Sequence, residues 1–256
     1  MENVLMKMVK YIPRKIKMRL FGNMLGSYDR RIQSIERIVK QVTKANTGID
    51  FQGQVEQDLF AYFYFSGKKE GFYIDIGAND GKTGSNTLIF EQLGWAGICI
   101  EPLPDVFEKL QQYRRCDCFN VAIANVSGDS LEFIRADGVE TLSGLNAQMT
   151  EAHKKRIANS NGKLEKIHVK TLTFADLMSN YPNRQYIDFM SVDVEGAELS
   201  ILKAIDFTKF HFGLITVENN EETKGEGERL KKYMDEQGYT VYLDLGLDIM
   251  FIPKSR

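Results

Sequence analysis

From Ser27 to Asn46 the apolar residues Ile32, Ile35, Ile38, Val39 and Val42 recur every three or four positions among charged neighbours. That period predicts an amphipathic helix, closed by Thr47, Gly48 and Asp50. QVEQDLFAYFYF, Gln54 to Phe65, predicts a second, aromatic-rich helix, and Ser66 to Gly71 a loop. The pattern then changes to short apolar runs, Phe72 to Ile76, Ala96 to Ile100 and Cys118 to Ala124, which suit strands buried on both faces. Helical stretches, Ser85 to Leu93 and Asp105 to Tyr113, alternate with them. The alternation resumes with strand Ile187 to Asp193, helix Ala197 to Ala204, strand Leu214 to Glu218 and helix Gly227 to Gln237. A hairpin of Thr240 to Leu245 with Asp248 to Ile252 ends the chain. This order predicts an α/β fold with a mostly parallel sheet and helices on both faces.

Residues 127–173 interrupt the alternation. SLEFIRA and KIHVKTLT read as strands, VETLSGLNA as a loop, and His153 to Lys163 as a polar linker. The segment is expected to be an insertion that forms a lid over the substrate. The expected organisation is a helical extension, residues 1–50, followed by one domain, residues 51–256.

Charge separates these two parts. The net charge is -2, but residues 1–50 hold eleven Lys and Arg against four Asp and Glu, leaving 22 basic and 31 acidic residues beyond them. Lys7, Lys10, Arg14, Lys15, Lys17 and Arg19 sit among Met, Val, Ile and Leu, a mixture suited to an anionic membrane surface, an acidic partner or a solvated leader. The apolar runs there are too short and too charged to span a bilayer or act as a secretory signal. The amphipathic helix could dock on the core or pair two copies of the chain. An acidic domain lacks the basic face that a phosphate backbone requires, so nucleic acid is not expected as a partner. Cys99, Cys116 and Cys118 show neither a disulfide framework nor zinc-ligand spacing. Reduced thiols and a cytoplasmic location, with peripheral membrane contact through the basic head, are the expectation.

YIDIGANDGKTGSNT, Tyr73 to Thr87, joins a strand to a helix through a glycine turn, where backbone N–H groups commonly bind anions. A purely structural turn is the alternative. Glu101 ends the next strand, AGICI, 20 residues after Gly81, where doubly wound nucleotide-binding folds place an acid for ribose hydroxyls. A capping or ion-pair role also fits Glu101. The dinucleotide pattern G-x-G-x-x-G is broken here by Asn79 and Asp80. The carboxylate of Asp80 in such a cradle is expected to repel phosphates and to favour S-adenosylmethionine, which carries a sulfonium and an ammonium. SVDVEGAE, Ser191 to Glu198, places Asp193 at a strand end and Glu195 two residues on, on the same side. Either residue could instead cap the following helix. Glu218 and Asn219 end the next strand at the same edge of the sheet. His153, His168 and His211 show no metal-ligand spacing.

GFYIDIGANDGKTGSNT, LGWAGICIEPLPDVFEKL, FMSVDVEGAELSIL and QVEQDLF together resemble the FkbM family of S-adenosylmethionine-dependent methyltransferases, from about Gln54 to Asn220. The resemblance implies a class I methyltransferase fold, a seven-stranded Rossmann-like sheet with its last strand antiparallel. It implies methylation of oxygen on sugars, glycolipids or secondary metabolites. Carried over by motif, Asp75, Gly77, Ala78, Asn79 and Gly81 would line the methionine end of the cofactor. Asn86 and Thr87 would steady the turn, Glu101 would hold the ribose and Asp193 would face the reacting methyl.

The mechanism expected is in-line attack of an acceptor hydroxyl on the sulfonium methyl, with a base taking the proton. Glu195, Asp193 and Glu218 are the candidates in that order, with His168 behind them. A dedicated metal site is not expected, although Mg²⁺ bridged by Asp193 and Glu218 is an alternative way to acidify the hydroxyl. Two rival functions stay open at this point: a nicotinamide oxidoreductase, and a non-catalytic module attached to a glycan-assembly complex or membrane.

Overall fold

The computed structural model describes residues 37–137, 144–145, 163–219 and 225–255. The chain divides into two compact units, Met1–Asp50 and Phe51–Arg256. In the first, residues 37–47 are helical. Gly48, at φ +73, ends the helix, its N–H donating to the Lys44 carbonyl at 2.7 Å. The basic segment Lys7 to Arg19 and the helix start from Ser27 lie outside the described residues.

The second unit is built on strands β1 (Phe72–Ile76), β2 (Ala96–Ile100), β3 (Asp117–Phe119), β8 (Tyr186–Val192), β9 (His211–Glu218), β10 (Tyr239–Asp244) and β11 (Asp248–Pro253). They form one sheet in the order β10-β11-β9-β8-β1-β2-β3. β11 runs antiparallel to both its neighbours, and the other pairs are parallel. A parallel strand covered by helices on both faces is largely apolar, and all five residues of β1 are buried, Asp75 being its one acid. Helices α1 (Gln57–Tyr64), α2 (Leu88–Gln92), α3 (Pro104–Tyr113), α4 (Phe174–Ser179), α5 (Glu198–Ala204) and α6 (Glu226–Glu236) surround this sheet. The main core joins Ile74, Ile98, Met190 and Ile215 of the sheet to Leu177, Leu202 and Leu230 of α4, α5 and α6. On the other face Phe65, after α1, packs edge-on against Phe90, Trp95 and Phe189. Full burial of such a ring contributes about 2 to 3 kcal/mol.

Strands β4 (Ala122–Ile123), β5 (Ser130–Asp137), β6 (Gly144–Leu145) and β7 (Lys163–Leu172) make a second sheet, ordered β4-β7-β5-β6. This sheet contains the ends of the insertion expected at residues 127–173. The polar linker and most of the loop read there fall outside the described residues.

Three expected elements differ. The run Cys118 to Ala124 is two strands in two sheets, because the Asn120 side chain turns back to donate to the Glu101 and Pro102 carbonyls at 2.9 and 3.0 Å. The helix expected from Ser85 begins at Leu88, since Ser85 Oγ is used to accept from the Thr87 and Leu88 N–H groups. Helix α4 was absent from the sequence reading, although Thr173 caps it by accepting from the Asp176 N–H at 3.0 Å.

Strand order reverses at β1, which has β2 on one side and β8 on the other. Such a switch point opens a crevice at the carboxyl ends of the strands. The chain is closest there at Gly77, where an added Cβ would stand 1.7 Å from the Asp193 carbonyl oxygen and φ is +88. Gly77→Ala is therefore expected to cost about 3 kcal/mol or more in urea unfolding. A change below about 1 kcal/mol would mean that this contact is not tight.

Candidate active site

The crevice is a cleft open to solvent, lined from β1, β2, β8 and the turns that follow them. One end is apolar, formed by Leu103, Val106, Val121, Ala122, Ile123 and Phe133. The other carries Asp75, Asn86, Ser191, Asp193 and Glu195. A cleft with one apolar and one polar end suits a ligand with a flat apolar base and a charged tail.

The glycine turn is closed on itself. The Gly77 and Ala78 N–H groups both donate to the Ile100 carbonyl at 3.0 Å, and Gly81 N–H to the Ala78 carbonyl at 2.9 Å. Asn79, held at φ +48, donates its N–H to Glu101 Oε2 at 3.0 Å. Asp80 Oδ1 takes the Lys82 and Thr83 N–H groups at 2.9 and 2.7 Å, while Oδ2 takes the Thr83 hydroxyl at 2.7 Å. The sequence reading therefore needs two corrections. The turn is not an open cradle of donors, because most of its N–H groups are occupied. Asp80 is a loop staple outside the cleft lining, its pKa lowered by its Thr83 and Lys82 hydrogen bonds against its own burial. A diphosphate finds few free donors here for that reason, rather than because Asp80 repels it.

Of the residues assigned to the cofactor, Asp75, Gly77, Ala78, Asn79, Asn86, Glu101 and Asp193 line the cleft. Gly81 and Thr87 do not. Gly81 backs onto α3, where a Cβ would meet Leu110 and Arg114 at 2.7 and 2.6 Å. Thr87 is buried behind the turn and donates its hydroxyl to Asp75 Oδ2 at 2.6 Å. Gln54, from QVEQDLF, also reaches the cleft. Asn86 Nδ2 donates to Ser191 Oγ at 3.1 Å, which leaves Asn86 Oδ1 buried without a partner. A buried acceptor of this kind calls for a donor. Glu101 adds Leu103 N–H to Asn79 N–H as donors, yet burial raises its pKa to about 7.

Asp193, Glu195 and Glu218 come together, each partly buried, with one oxygen from each lying within 4.8 Å of the others. Glu195 is placed by a left-handed backbone, φ +57, followed by Gly196 at φ +111. Its N–H donates to Glu218 Oε2 at 3.2 Å. Glu218 does not line the cleft itself. Two acids that sequence reasoning left out complete the group. Glu198 Oε1 accepts from Gly196 and Val194 N–H at 2.9 and 3.1 Å, clamping the turn that carries Glu195. Asp248 Oδ2 accepts from Gln57 Nε2 at 2.7 Å. Glu198 was legible as the third acid of D-V-E-G-A-E; Asp248 is joined to the site through sheet pairing with Glu218. His168 lies exposed on β7, paired with Glu132, so it is not grouped with these acids.

Burial raises these carboxyl groups: Asp193 to about 6, with Asp75 adding to the shift and a Glu218 hydrogen bond opposing it. Glu198 rises to about 7, against its backbone donors, and Asp248 to about 8, with Asp193 adding. Glu218 is pushed well above the usual carboxylate range by burial and by Asp193, Glu195 and Glu198. The charges acting on Asp193 and Glu218 are other carboxylates, so both groups favour the protonated form more than a free carboxyl does.

A switch-point cleft with an acid at the end of β2, in a sheet ordered β10-β11-β9-β8-β1-β2-β3, defines a class I methyltransferase. Residues 75–241 match the model of the methyltransferase FkbM domain, and the chain belongs to that family. The family fixes the methyl donor as S-adenosylmethionine and sets aside the oxidoreductase and non-catalytic alternatives. The chain is also similar to a methyltransferase from Geobacter sulfurreducens, at 10% identity and TM-score 0.42, covering 91% of this chain and 96% of that one. For precorrin-6y C5,15-methyltransferase from Geobacter metallireducens the values are 12% and 0.41, covering 77% and 87%. No protein of curated function matches the sequence. No described helix is long and apolar enough to cross a membrane.

The residues fit this donor molecule: Asn86 Oδ1 is an unpartnered acceptor for an ammonium, and Glu101 keeps lone pairs for ribose hydroxyls. Glu101→Gln is expected to weaken S-adenosylhomocysteine binding about tenfold or more, as a charged acceptor becomes neutral. Equal affinity by calorimetry would place the ribose elsewhere. A second expectation concerns pH. Asp193, Glu101, Glu198 and Asp248 bind protons more tightly folded than unfolded, so their contribution is present at low pH and lost as pH rises through about 6 to 8. The unliganded protein should melt at a higher temperature near pH 5.5 than near pH 8; the reverse order would contradict the burial of these acids.

Proposed function

We propose that the protein methylates a hydroxyl of a sugar, glycolipid or secondary metabolite. The observation that carries this reading is that Asp193 and Glu195 line the polar end of the cleft with Glu218 grouped beside them. An alcohol is a weak nucleophile at neutral pH, and a positioned carboxylate next to its oxygen takes the proton as the new bond forms. When bound, S-adenosylmethionine supplies an electrophilic methyl on a positive sulfur. Asp75 and Asn86 orient its amino-acid end, Glu101 fixes its ribose, and the apolar end around Val106 and Phe133 receives the adenine. Glu195 is the base, aimed by its left-handed turn and the Glu198 clamp. Asp193 would face the methyl, and Glu218 steadies the turn that carries Glu195 by accepting its N–H at 3.2 Å.

The same three carboxylates support a second reading. Their donor set suits a hard dication such as Mg²⁺, which Asp193, Glu195 and Glu218 would hold and which would acidify the acceptor hydroxyl. The insertion enters the cleft through Phe133 of β5, consistent with a role as a lid over the acceptor. The basic head, residues 1–50, suits peripheral attachment to an anionic membrane on the cytoplasmic side, and its helix suits pairing of two copies.

The experiment follows tritiated methyl transfer to a panel of glycans and lipid-linked sugars, for the parent protein, Asp193→Asn and Glu195→Gln, each with and without chelator. Loss of turnover by about 10² to 10⁴ in Glu195→Gln, insensitive to chelator, is the expected result. Turnover abolished by chelator and restored by Mg²⁺ would select the metal reading. Unimpaired turnover in both variants would remove these residues from the mechanism.

A further inference from the structure

Beside Asp75, on the neighbouring strand β2, begins a group of thiols that methyl transfer does not use. Cys99, in the middle of β2, is fully buried, whereas Cys116, in the bend before β3, is partly exposed. Their sulfurs stand 3.4 Å apart. Cys116 opens on a surface depression shared with Glu91, Trp95, Gly97, Arg115 and Asp117. Cys118, paired with Cys99 across β2 and β3, donates its thiol to the Cys116 carbonyl at 3.5 Å. Hydrogen bonds from Cys118 and Cys99, with help from Tyr73 and Arg114, pull the Cys116 thiol far below its usual range, and burial pushes Cys99 up. One accessible sulfur 3.4 Å from one buried sulfur is the arrangement of an attacking and a resolving cysteine.

We propose that Cys116 and Cys99 form a peroxide-responsive thiol pair that closes to a disulfide and loosens the methyl-donor site. The Cys116 thiolate attacks one peroxide oxygen, the O–O bond breaks, and the departing hydroxide leaves as water, giving a sulfenic acid. The Cys99 sulfur then attacks the Cys116 sulfur. The S–O bond breaks as the S–S bond forms, and the Cys99 proton leaves with the hydroxide as a second water. Two thiols and one peroxide thus give one disulfide and two waters. Bonding brings the sulfurs to about 2.05 Å, a closure of roughly 1.4 Å that the bend at Cys116 must supply.

That closure pulls on Arg114, two residues away. Its guanidinium is wholly buried and donates to the Gly81 carbonyl and Ser85 Oγ at 3.2 Å, to Thr87 Oγ1 at 3.0 Å and to Tyr73 Oη at 2.8 Å. Thr87 in turn holds Asp75 at 2.6 Å. Arg114 is a positioning residue for the donor site, and Cys116 acts through it. This second half rests on the cofactor reading of the cleft, and the experiment separates the two.

The full chain is treated with hydrogen peroxide and digested with trypsin without reduction. Expected is one cross-linked pair joining Thr83–Lys109, which holds Cys99, to Cys116–Arg135. The link should be lost in Cys116→Ser, kept in Cys118→Ser and reversed by dithiothreitol. A link confined within Cys116–Arg135, or a Cys116 that does not react, would overturn the pair. Calorimetry with S-adenosylhomocysteine reads the coupling: oxidation should weaken binding by at least about fivefold, reversibly, and leave Cys116→Ser unaffected. Equal affinity before and after oxidation would overturn the coupling. Failure of the reduced protein to bind at all would count against the cleft assignment, while the peptide map would still decide the thiol pair.

Discussion

Carboxyl groups gathered in one small volume repel one another and resist leaving water, and that constraint governs the carboxyl edge of this sheet. Asp75, Asp193, Glu198, Glu218 and Asp248 are drawn there by the ends of β1, β8, β9 and β11 and the turn into α5. The chain tolerates them in two ways. Backbone N–H groups of Val194 and Gly196 both donate to one oxygen of Glu198, and Asp193 and Glu218 hold protons more tightly than free carboxyl groups do. A ligand bearing positive charge relieves what remains, so the same electrostatics that strain the unliganded fold favour a sulfonium donor.

The acids are held in place by backbone packing. Gly77 lets the first turn touch the Asp193 carbonyl, and the Asp193 N–H donates to the Ile76 carbonyl at 2.9 Å. The two chemical halves of the cleft, the glycine turn and the D-V-E-G turn, are therefore one rigid seam. Arg114 braces that seam from behind, tying Gly81, Ser85 and Thr87 to α3. Cys116 lies two residues from that brace and Cys99 pairs in register with Asp75, so oxidation there would be felt as affinity for the donor.

Much of this was legible in the sequence where burial alone decides structure. FYIDI and AGICI are strands to the residue, because a strand covered on both faces needs a largely apolar run, interrupted in FYIDI only by Asp75 of the site. Positions where a side chain captures backbone were less legible. Ser85 shortened a helix, Asn120 split a strand, and Asp80 closed its own loop. Each of these residues reads in sequence as an ordinary helix, strand or cradle position, and only the fold shows which donor it meets. Asp248 could not be assigned from spacing, since an antiparallel strand far along the chain delivers it beside Glu218. The cap of α4 is written in the sequence as T-F-A-D, Thr173 three residues before Asp176.

The central claim is that the donor's positive charge is received by carboxyl groups held partly protonated. Calorimetry of S-adenosylmethionine binding near pH 6.5, repeated in buffers of different ionisation enthalpy, counts the protons exchanged. Net proton release on binding is the expected result, because Glu101, Asp193 and Glu198 ionise as the cation arrives. Binding with no proton release, or with uptake, would contradict it.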